Sequence, residues 1–420
     1  MPKRLAPTKD DEAKMAYQVA YLSAKEEKPQ KEIAEILAIS QAAVSRLMQL
    51  ARDLQYLQVT YDLAPRPDGD AIVAQLRSKL EFGRLENDLA TLPTQTGRHL
   101  RKLRVFNSGN TDTSHEAIEQ RQRTLGAKAA RHVAERLRDA EIVAVTWGST
   151  LGRLIEGVGH IGYPWSKPAP DADPADARHQ KLILPAAAEP VVHADNSFTS
   201  STLARQLDAI INGPLPQPRD ERQLGSPTPR RLALTGVPAY VPTDLTAFLP
   251  PALSDQGDAV AKVLRTYVEY SSPAHRRIFK GDPTSPSLIS KVDVLLTGAG
   301  TDVGFCHDDL LQVGGLTAPE LEQLIVGDVG GVLLPRSDST AARVASLNAM
   351  WTGLTERHLI DINERAQRTG QAGVILVSLG RRRADVVLAA VLRGFCTELV
   401  IDHDLAAALV EKLEGRSGRG

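Results

Sequence analysis

The chain has 420 residues, enough for two or more domains, and its 42% hydrophobic content is ordinary for a globular protein. Its net charge of -1 excludes a global field that would draw the molecule to nucleic acid or membrane, so DNA binding would need a local surface. The two cysteines, Cys306 and Cys396, form no close-spaced pair. That spacing argues against a zinc finger or a disulfide framework and fits a reducing cytoplasm.

The first twelve residues, MPKRLAPTKDDE, are polar and lack the apolar core of a signal peptide. We therefore expect a disordered tail over residues 1–12. Nowhere does the chain contain a run of about 18 apolar residues, which is the length that spans a bilayer. The sequence predicts a cytoplasmic protein with no membrane partner.

Residues 13–63 are predicted to form a helix-turn-helix unit around QKEIAEILAISQAAVSRLMQLAR at 30–52. Apolar residues recur there at the spacing of two short helices that each bury one face. The inward residues are Ile33, Ala34 and Leu37 on the first helix, and Val44, Leu47 and Leu50 on the second. Ser40 can cap the second helix through its hydroxyl. Ala38 stands in the turn where glycine is usual, which predicts an unfavourable backbone angle.

The outer face of the second helix carries short polar residues and one arginine, a composition suited to the major groove of DNA. The N–H groups and lysine at the start of the first helix would contact phosphate. The predicted DNA-binding residues are Gln30, Lys31, Ser40, Gln41, Ala42, Ser45, Arg46 and Gln49. The alternatives are an ordinary helical hairpin and a helix-turn-helix used only for dimer contacts. Residues 1–60 hold nine Lys/Arg against eight Asp/Glu, a net of +1, so two or more copies would be needed for firm binding.

Residues 64–100 are predicted to contain a linker and an oligomerisation helix. An alternating segment at 56–61 predicts a strand that ends the preceding unit. The stretch APRPDGD at 64–70 then has the composition of a linker. Residues 71–92 then show helical spacing of leucines. This helix either forms the seam between copies or packs on its own domain, and the sequence leaves both possibilities open.

Residues 101–415 are predicted to form an α/β effector domain with a doubly wound, mostly parallel sheet. Short apolar runs alternate there with amphipathic helical stretches, as in buried parallel strands. The runs are 142–147, 181–186, 292–300, 329–335, 373–380 and 397–403. Two stretches rich in Pro, Asp and Arg, 165–179 and 213–231, interrupt the pattern and predict surface insertions.

The segment IVAVTWGSTLGRLIEGV at 142–158 predicts a strand, a sharp turn and a helix. Exposed N–H groups at the helix start, together with the hydroxyls of Ser149 and Thr150, can hold a phosphate. Such a Gly-Ser-Thr turn is also a common helix cap, and both interpretations stay open.

Several stretches together resemble the SorC-type family of sugar-responsive bacterial transcription regulators, which have an N-terminal helix-turn-helix and a sugar-binding domain. The family's sugar-binding domain is related in fold to ribose-phosphate isomerase and glucosamine-phosphate deaminase. The DNA-binding unit resembles the family's winged helix-turn-helix. The matching stretches are 32–59, 125–151, 292–300, 326–331, 373–394 and 397–410.

The resemblance implies an effector site for a small phosphorylated sugar. Its residues would be Gly148, Ser149, Thr150, Asn196, Gly298, Gly300, Asp328 and Arg383. Arg383 stands where the family usually has a lysine; arginine still pairs with phosphate but cannot form a Schiff base. Turn capping by Asp328, helix capping by the polar segment 196–200 and a solvated face for the arginine run 381–383 are the alternatives. Asp402 is expected to cap the last helix.

The leading hypothesis is a DNA-binding regulator whose partners are operator DNA, a phosphorylated sugar and further copies of itself. The resemblance implies a dimer or tetramer, and we assign no catalytic residue, metal or cofactor. One alternative is a sugar-phosphate isomerase or deaminase with an N-terminal interaction module. Its candidate bases would be Asp302, Asp328 and His307. Another is a structural DNA-binding protein whose large domain only oligomerises.

Overall fold

The fold is taken from a computed structural model that describes most of the chain. The described residues are 9–24, 28–54, 56, 82–109, 114–163, 165, 181–187, 197–213, 232–234, 237–245, 255–281, 284–301 and 307–417. The chain divides into a small unit, Met1–Gln75, and a large unit, Leu76–Gly420. The predicted linker at 64–70 lies outside the described residues, as do the wing segment beyond Tyr56 and nearly all of the two Pro-rich insertions.

The small unit is described as three helices: α1 (Lys9–Ala24), α2 (Gln30–Ile36) and α3 (Gln41–Asp53). Their apolar faces meet in one core. The core residues are Ala16, Val19, Ala20, Ile33, Val44, Leu47, Met48 and Ala51. Because α1 begins at Lys9, the predicted disordered tail is wrong for residues 9–12. Helix α1 therefore supplies a third apolar face, against which α2 and α3 pack.

The turn between α2 and α3 follows the sequence prediction. Ala38 has φ +50°, the only positive φ at a residue other than glycine among the residues described, so the strained turn is confirmed. The Ser40 hydroxyl accepts the Ala43 N–H at 3.1 Å and caps α3, also as predicted.

None of the helices described is by itself long and apolar enough to cross a membrane. Together, α2 and α3 have the length and apolar composition needed to cross a membrane, but the chain bends by 103° between them.

The large unit is built on a sheet of six parallel strands, so the predicted mostly parallel α/β fold is confirmed. The strands are β1 (Lys102–Phe106), β2 (Ile142–Val145), β3 (Leu182–Pro185), β4 (Val294–Gly300), β7 (Gly373–Ser378) and β8 (Glu398–Asp402), with β5 (Ile325–Val329) and β6 (Val332–Pro335) added beyond β4. The parallel order is β1-β8-β7-β4-β2-β3. All six strands therefore end at the same edge.

Helices cover both faces of this sheet. On one face lie α5 (His115–Arg138), α6 (Ser149–His160) and α7 (Ser200–Asn212). On the other lie α4 (Gly83–Thr91), α12 (Glu356–Thr369), α13 (Ala384–Leu392) and α14 (His403–Ser417). The longer helices that remain are α8 (Gly257–Ser271), α9 (His307–Gly314), α10 (Ala318–Leu324) and α11 (Asp338–Met350), and shorter helical segments lie at Pro273–His275, Arg276–Lys280 and Leu288–Lys291.

The run at 329–335 contains the turn and the second strand of a hairpin, Ile325–Pro335, rather than the single strand expected. Strand β5 pairs antiparallel with the end of β4 and with β6, across a turn at Gly330 and Gly331. Both glycines have positive φ, +58° and +91°, and a Cβ on Gly331 would collide with the ring of Trp351. The glycine pair therefore reverses the chain, and the sequence interpretation of 329–335 as one strand is wrong.

Helix α4 covers the described half of the predicted oligomerisation helix. Leu85 and Leu89 are 1% and 0% exposed and belong to the core of the large unit. These two leucines pack on their own domain, which is the alternative left open by the sequence, and they are unavailable to a seam. Residues 71–81 lie outside the described part of the chain.

Candidate functional site

The order of the parallel strands creates a crevice between β2 and β4. From β2 the chain passes to β3 on one side, whereas from β4 the next parallel strand is β7 on the other side. Adjacent strands whose connections leave in opposite directions form a topological switch point, where open α/β sheets bind ligands beyond the carboxyl ends of the strands. The search for a site therefore begins at the ends of β2 and β4.

The loop after β2 is the predicted phosphate loop, and it opens α6. Gly148 is the N-cap with φ +121°, a conformation that favours glycine, and no side chain caps the helix. Its own N–H donates to the Phe198 carbonyl at 3.0 Å. Gly148, Ser149 and Thr150 are all half-buried, so the loop is not sealed inside the protein. A free helix N-terminus with two hydroxyls at a switch point is suited to an anion.

A buried glutamine supports this loop from the neighbouring helix. Gln122 of α5 is 7% exposed, and its Nε2 donates to the Ser149 Oγ at 2.8 Å. Sequence analysis missed Gln122, because it precedes the loop by a whole helix and strand. The helical period of α5 alone could have shown that it lies on the buried face.

Phe198 fixes the other side of the loop. A Cβ on Gly152 would collide with the Phe198 ring, and the Arg153 guanidinium lies 5.5 Å from the ring centroid. Thr199 accepts the Thr202 N–H at 3.3 Å and caps α7, so helix capping holds for this residue. Asn196, predicted to contact the effector, lies outside the described residues.

Arg153 forms ion pairs with two carboxylates rather than with the phosphate loop. Its Nη1 lies 2.9 Å from Glu156, and its Nη2 pairs with Glu119 at 2.5 Å. The hydrogen bond that Arg153 donates to Glu156 raises the pKa of Arg153, so the guanidinium keeps its charge.

The two glycines at the end of β4 differ in how closely other atoms of the protein surround them. A Cβ on Gly300 would collide with the Asp328 carboxylate, so a contact inside the protein explains that glycine. A Cβ on Gly298 would meet nothing closer than the Val377 carbonyl oxygen at 3.8 Å. No described contact of the protein therefore requires Gly298, and its place beside the switch point suits a ligand that approaches the backbone.

Asp328 caps the hairpin turn between β5 and β6. It is 6% exposed, and its Oδ2 accepts the Gly331 N–H at 2.9 Å. The turn-capping alternative is therefore what the structure shows. A second role of Asp328 toward sugar hydroxyls stays a prediction.

The arginine run follows β7, the strand next to β4. Gly380 has φ +88°, and Arg381–Arg383 form a short 3-10 turn before α13. Arg381 and Arg382 are exposed, which agrees with a solvated face, whereas Arg383 is half-buried and donates to the Leu379 carbonyl at 2.6 Å. Because Gly298 pairs with Val377 across β4 and β7, this turn lies at the same edge as the phosphate loop.

A buried charged cluster holds the start of the arginine turn. Arg121 of α5, 5% exposed, pairs with Asp402 and, at 2.6 Å, with Asp404. Asp402 accepts the Ser108 hydroxyl at 3.0 Å and the Gly380 N–H at 2.9 Å. It also accepts the N–H of Leu405 at 3.1 Å, so its predicted capping of the last helix is confirmed. Arg121 was not expected, because its partners lie at the far end of the chain.

The other end of β8 is also tied to α5. Glu398, 3% exposed, lies 3.1 Å from the His132 Nε2 and 3.0 Å from the Arg136 Nε. Helix α5 therefore pairs with both the first and the last residue of β8.

The candidate DNA-binding face of the small unit is exposed as predicted. Gln41, Ala42, Ser45, Arg46 and Gln49 all lie on the outer surface of α3, and Gln30 and Lys31 are exposed at the start of α2. These residues therefore share one accessible region of the small unit.

Weak local contacts hold the polar residues of this face. The Ser45 hydroxyl donates to Gln30 at 3.0 Å, and Arg46 lies 3.4 Å from Glu12. Both members of the latter pair are well exposed, so the pair contributes little and Arg46 is free to exchange Glu12 for another partner.

Other site chemistry is limited in the part of the chain described. No group of three or more His, Cys, Asp or Glu side chains is placed there to hold a metal ion. Asp302, a candidate base of the enzyme alternative, lies outside the described residues, and α9 begins at His307.

The chain is similar to known bacterial regulators. No family model matches it. A curated relative, the deoxyribonucleoside regulator of Bacillus subtilis, is 26% identical over 148 residues, which are 35% of this chain and 40% of that protein. The match therefore spans well under half of the relative's length. Solved structures extend the likeness along the chain.

The sorbitol operon regulator SorC of Klebsiella pneumoniae covers 95% of this chain and 99% of its own, with 15% identity and a TM-score of 0.46. A domain of a possible sugar-binding transcriptional regulator from Arthrobacter aurescens covers 78% of this chain and 96% of its own, with 18% identity and a TM-score of 0.46. The structural neighbours are SorC and DeoR regulators.

Proposed function

We propose that this chain is a cytoplasmic transcription regulator of the SorC type. Its small unit binds double-stranded operator DNA, and its large unit binds a small phosphorylated sugar that controls this binding. The observation that carries the proposal is the position of the Gly148–Thr150 loop at the switch point, beside Gly298 and the arginine turn. The name of the curated relative, a deoxyribonucleoside regulator, supports the same class of function.

The phosphate of the effector would lie on the N-terminus of α6. Backbone N–H groups and the Ser149 and Thr150 hydroxyls would donate to its oxygens, and Arg383 would supply a fixed positive charge. The sugar would extend past Gly298, where the backbone leaves room. Arg383 cannot form an imine, so binding at that position is non-covalent.

The DNA would receive α3 in its major groove. Arg46, Gln41 and Gln49 would read base edges, while the start of α2, with Lys31, would contact phosphate. Because the small unit carries little net charge, a dimer or tetramer would be needed to place two α3 helices on one operator. The effector would then act by linkage, since it binds one arrangement of the copies better than another.

The first experiment is a thermal-shift screen of the purified protein against phosphorylated pentoses and hexoses. The proposal expects one sugar phosphate to raise the melting temperature, and its unphosphorylated parent to raise it much less. The same compound should change operator affinity in a gel-shift titration.

Two results would contradict the proposal. Turnover of a sugar phosphate would favour an isomerase or deaminase. DNA binding that no phosphorylated sugar alters would favour a structural DNA-binding protein.

A further inference from the structure

The buried face of α5 places two adjacent polar side chains against two different loops of the candidate site. Gln122 donates to Ser149 in the phosphate loop at 2.8 Å, and Arg121 pairs with Asp402, which accepts the N–H of Gly380 at the start of the arginine turn. Both are more than nine-tenths buried. One helix therefore supports both loops from behind.

Close backbone contact between α5 and α6 brings Gln122 up to Ser149. A Cβ on Gly126 would come within 2.6 Å of the Arg153 carbonyl carbon. One on Gly157 would come within 2.6 Å of the Gly126 carbonyl oxygen. Helices α5 and α6 therefore pack main chain against main chain, an approach that the two glycines allow.

The direction of this hydrogen bond has a chemical consequence. A serine hydroxyl has one proton to donate and lone pairs to accept with. Because the Ser149 Oγ accepts from Gln122, its own proton remains to be donated, and no acceptor for it occurs among the residues the structure describes. At the first position of α6, that proton adds to the donors of the helix N-terminus.

We propose that Gln122 is a positioning residue that holds the Ser149 hydroxyl as a donor toward an anion at the N-terminus of α6. This inference rests on the proposed function and assigns a residue behind its anion subsite, where a phosphate or sulfate oxygen would accept the Ser149 proton. An ionised oxyanion gains most from this arrangement, because hydrogen bonds to a charged oxygen are shorter and stronger than those to a neutral hydroxyl.

The test compares Gln122→Glu with Gln122→Met in the full-length protein, and the probe is inorganic sulfate, which keeps its charge from pH 8 to pH 5. The glutamate has nearly the shape of glutamine but accepts the Ser149 proton and adds a negative charge. At pH 8 we expect sulfate to bind this variant about tenfold to a hundredfold more weakly than wild type. The methionine, which removes the donor without adding charge, should cause a smaller loss.

Measuring sulfate affinity at lower pH distinguishes a positioning role of Gln122 from structural damage caused by its substitution. Toward pH 5 the introduced carboxyl begins to protonate, since burial raises its pKa above about 4.3, and it can then donate as glutamine does. Sulfate affinity should recover in Gln122→Glu and not in Gln122→Met. Wild type measured over the same pH range is the control for the other charged groups on the elements around this contact, which include Glu119, Arg121, Arg123, Arg153, Asp402 and Asp404.

A double-mutant cycle gives a second measurement if the glutamate variant fails to fold. In a Ser149→Ala background, Gln122→Met should change sulfate affinity by no more than about twofold, because Gln122 acts only through the missing hydroxyl. Additive losses would overturn the inference and leave the proposed function intact, as would a phosphorylated sugar that binds without competition from sulfate. Wild type that binds neither sulfate nor any sugar phosphate would refute both.

Discussion

The two units of this protein differ in how far apart in sequence their candidate functional residues lie. In the small unit every candidate lies between Gln30 and Gln49, on two consecutive helices. In the large unit the candidates run from Gly148 to Arg383 and meet only because parallel strands end at one edge of a sheet. A helical period reveals a surface of the first kind, whereas a site of the second kind depends on strand order.

The units also differ in how their charged groups are used. Arg46 of the small unit is exposed and pairs loosely with an exposed carboxylate, so DNA can replace that partner at little cost. Arg121 of the large unit is buried with its carboxylates and cannot exchange them. We therefore expect substitutions in the buried Arg121 cluster to affect stability, and substitution of Arg46 to affect DNA binding.

The largest expected effect belongs to Asp402→Ala. It removes the buried partner of Arg121 and the acceptor of two backbone N–H groups, so the free energy of unfolding should fall by about 3–5 kcal/mol. Urea denaturation of the full chain measures it. Asp404→Ala is the control, because the Asp404 side chain is 17% exposed and should cost less. Equal losses in the two variants would show that the buried cluster does not centre on Asp402.

The next effect concerns Thr150→Val, which keeps the shape of the side chain and removes its hydroxyl. Binding of the phosphorylated sugar should weaken by about 1.5–3 kcal/mol, the contribution of a hydrogen bond to a charged group. Calorimetry measures the affinity, and gel shifts should show unchanged DNA binding without effector. Thr266→Val on α8 is a matched control, since that hydroxyl donates to the Lys262 carbonyl of its own helix. A normal effector response in Thr150→Val would move the phosphate elsewhere.

Arg46→Ala tests the small unit. If Arg46 reads a base, operator affinity should fall by about 1–3 kcal/mol, and discrimination at one base pair should relax. Arg52→Ala removes another exposed arginine from the last turn of the same helix and serves as the control. Unaltered affinity and selectivity of Arg46→Ala in a gel-shift titration would remove Arg46 from the reading face.

The smallest effect, and the only stabilising one, belongs to Ala38→Gly. Glycine adopts φ +50° without strain, so the small unit should gain about 0.5–1 kcal/mol. Hydrogen-exchange protection of α3 amides in the full chain reports this gain. Ala42→Gly, four residues later inside α3, should shift protection by a similar amount in the opposite direction. A loss of protection in both variants would mean that the turn is not strained.

Sequence reasoning predicted those elements that depend on residues close together in the chain. The apolar runs predicted five strands of the parallel sheet, the turn Gly148–Thr150 predicted the start of α6, and Ser40 predicted a cap. Strand β1 was missed, because KLRVF alternates charge with apolar residues and is half exposed. Gln122, Phe198 and Arg121 were missed because each acts on a segment that only the folded sheet brings near it.

The close glycine contacts of α5 and α6 connect the anion loop to a long element of the large unit. Helix α5 has 24 residues, so it is roughly 36 Å long, and Arg121 and Arg136 tie it to opposite ends of β8. Because both ties engage buried carboxylates, we expect α5 and β8 to respond to a ligand on Ser149 as one block rather than as separate elements.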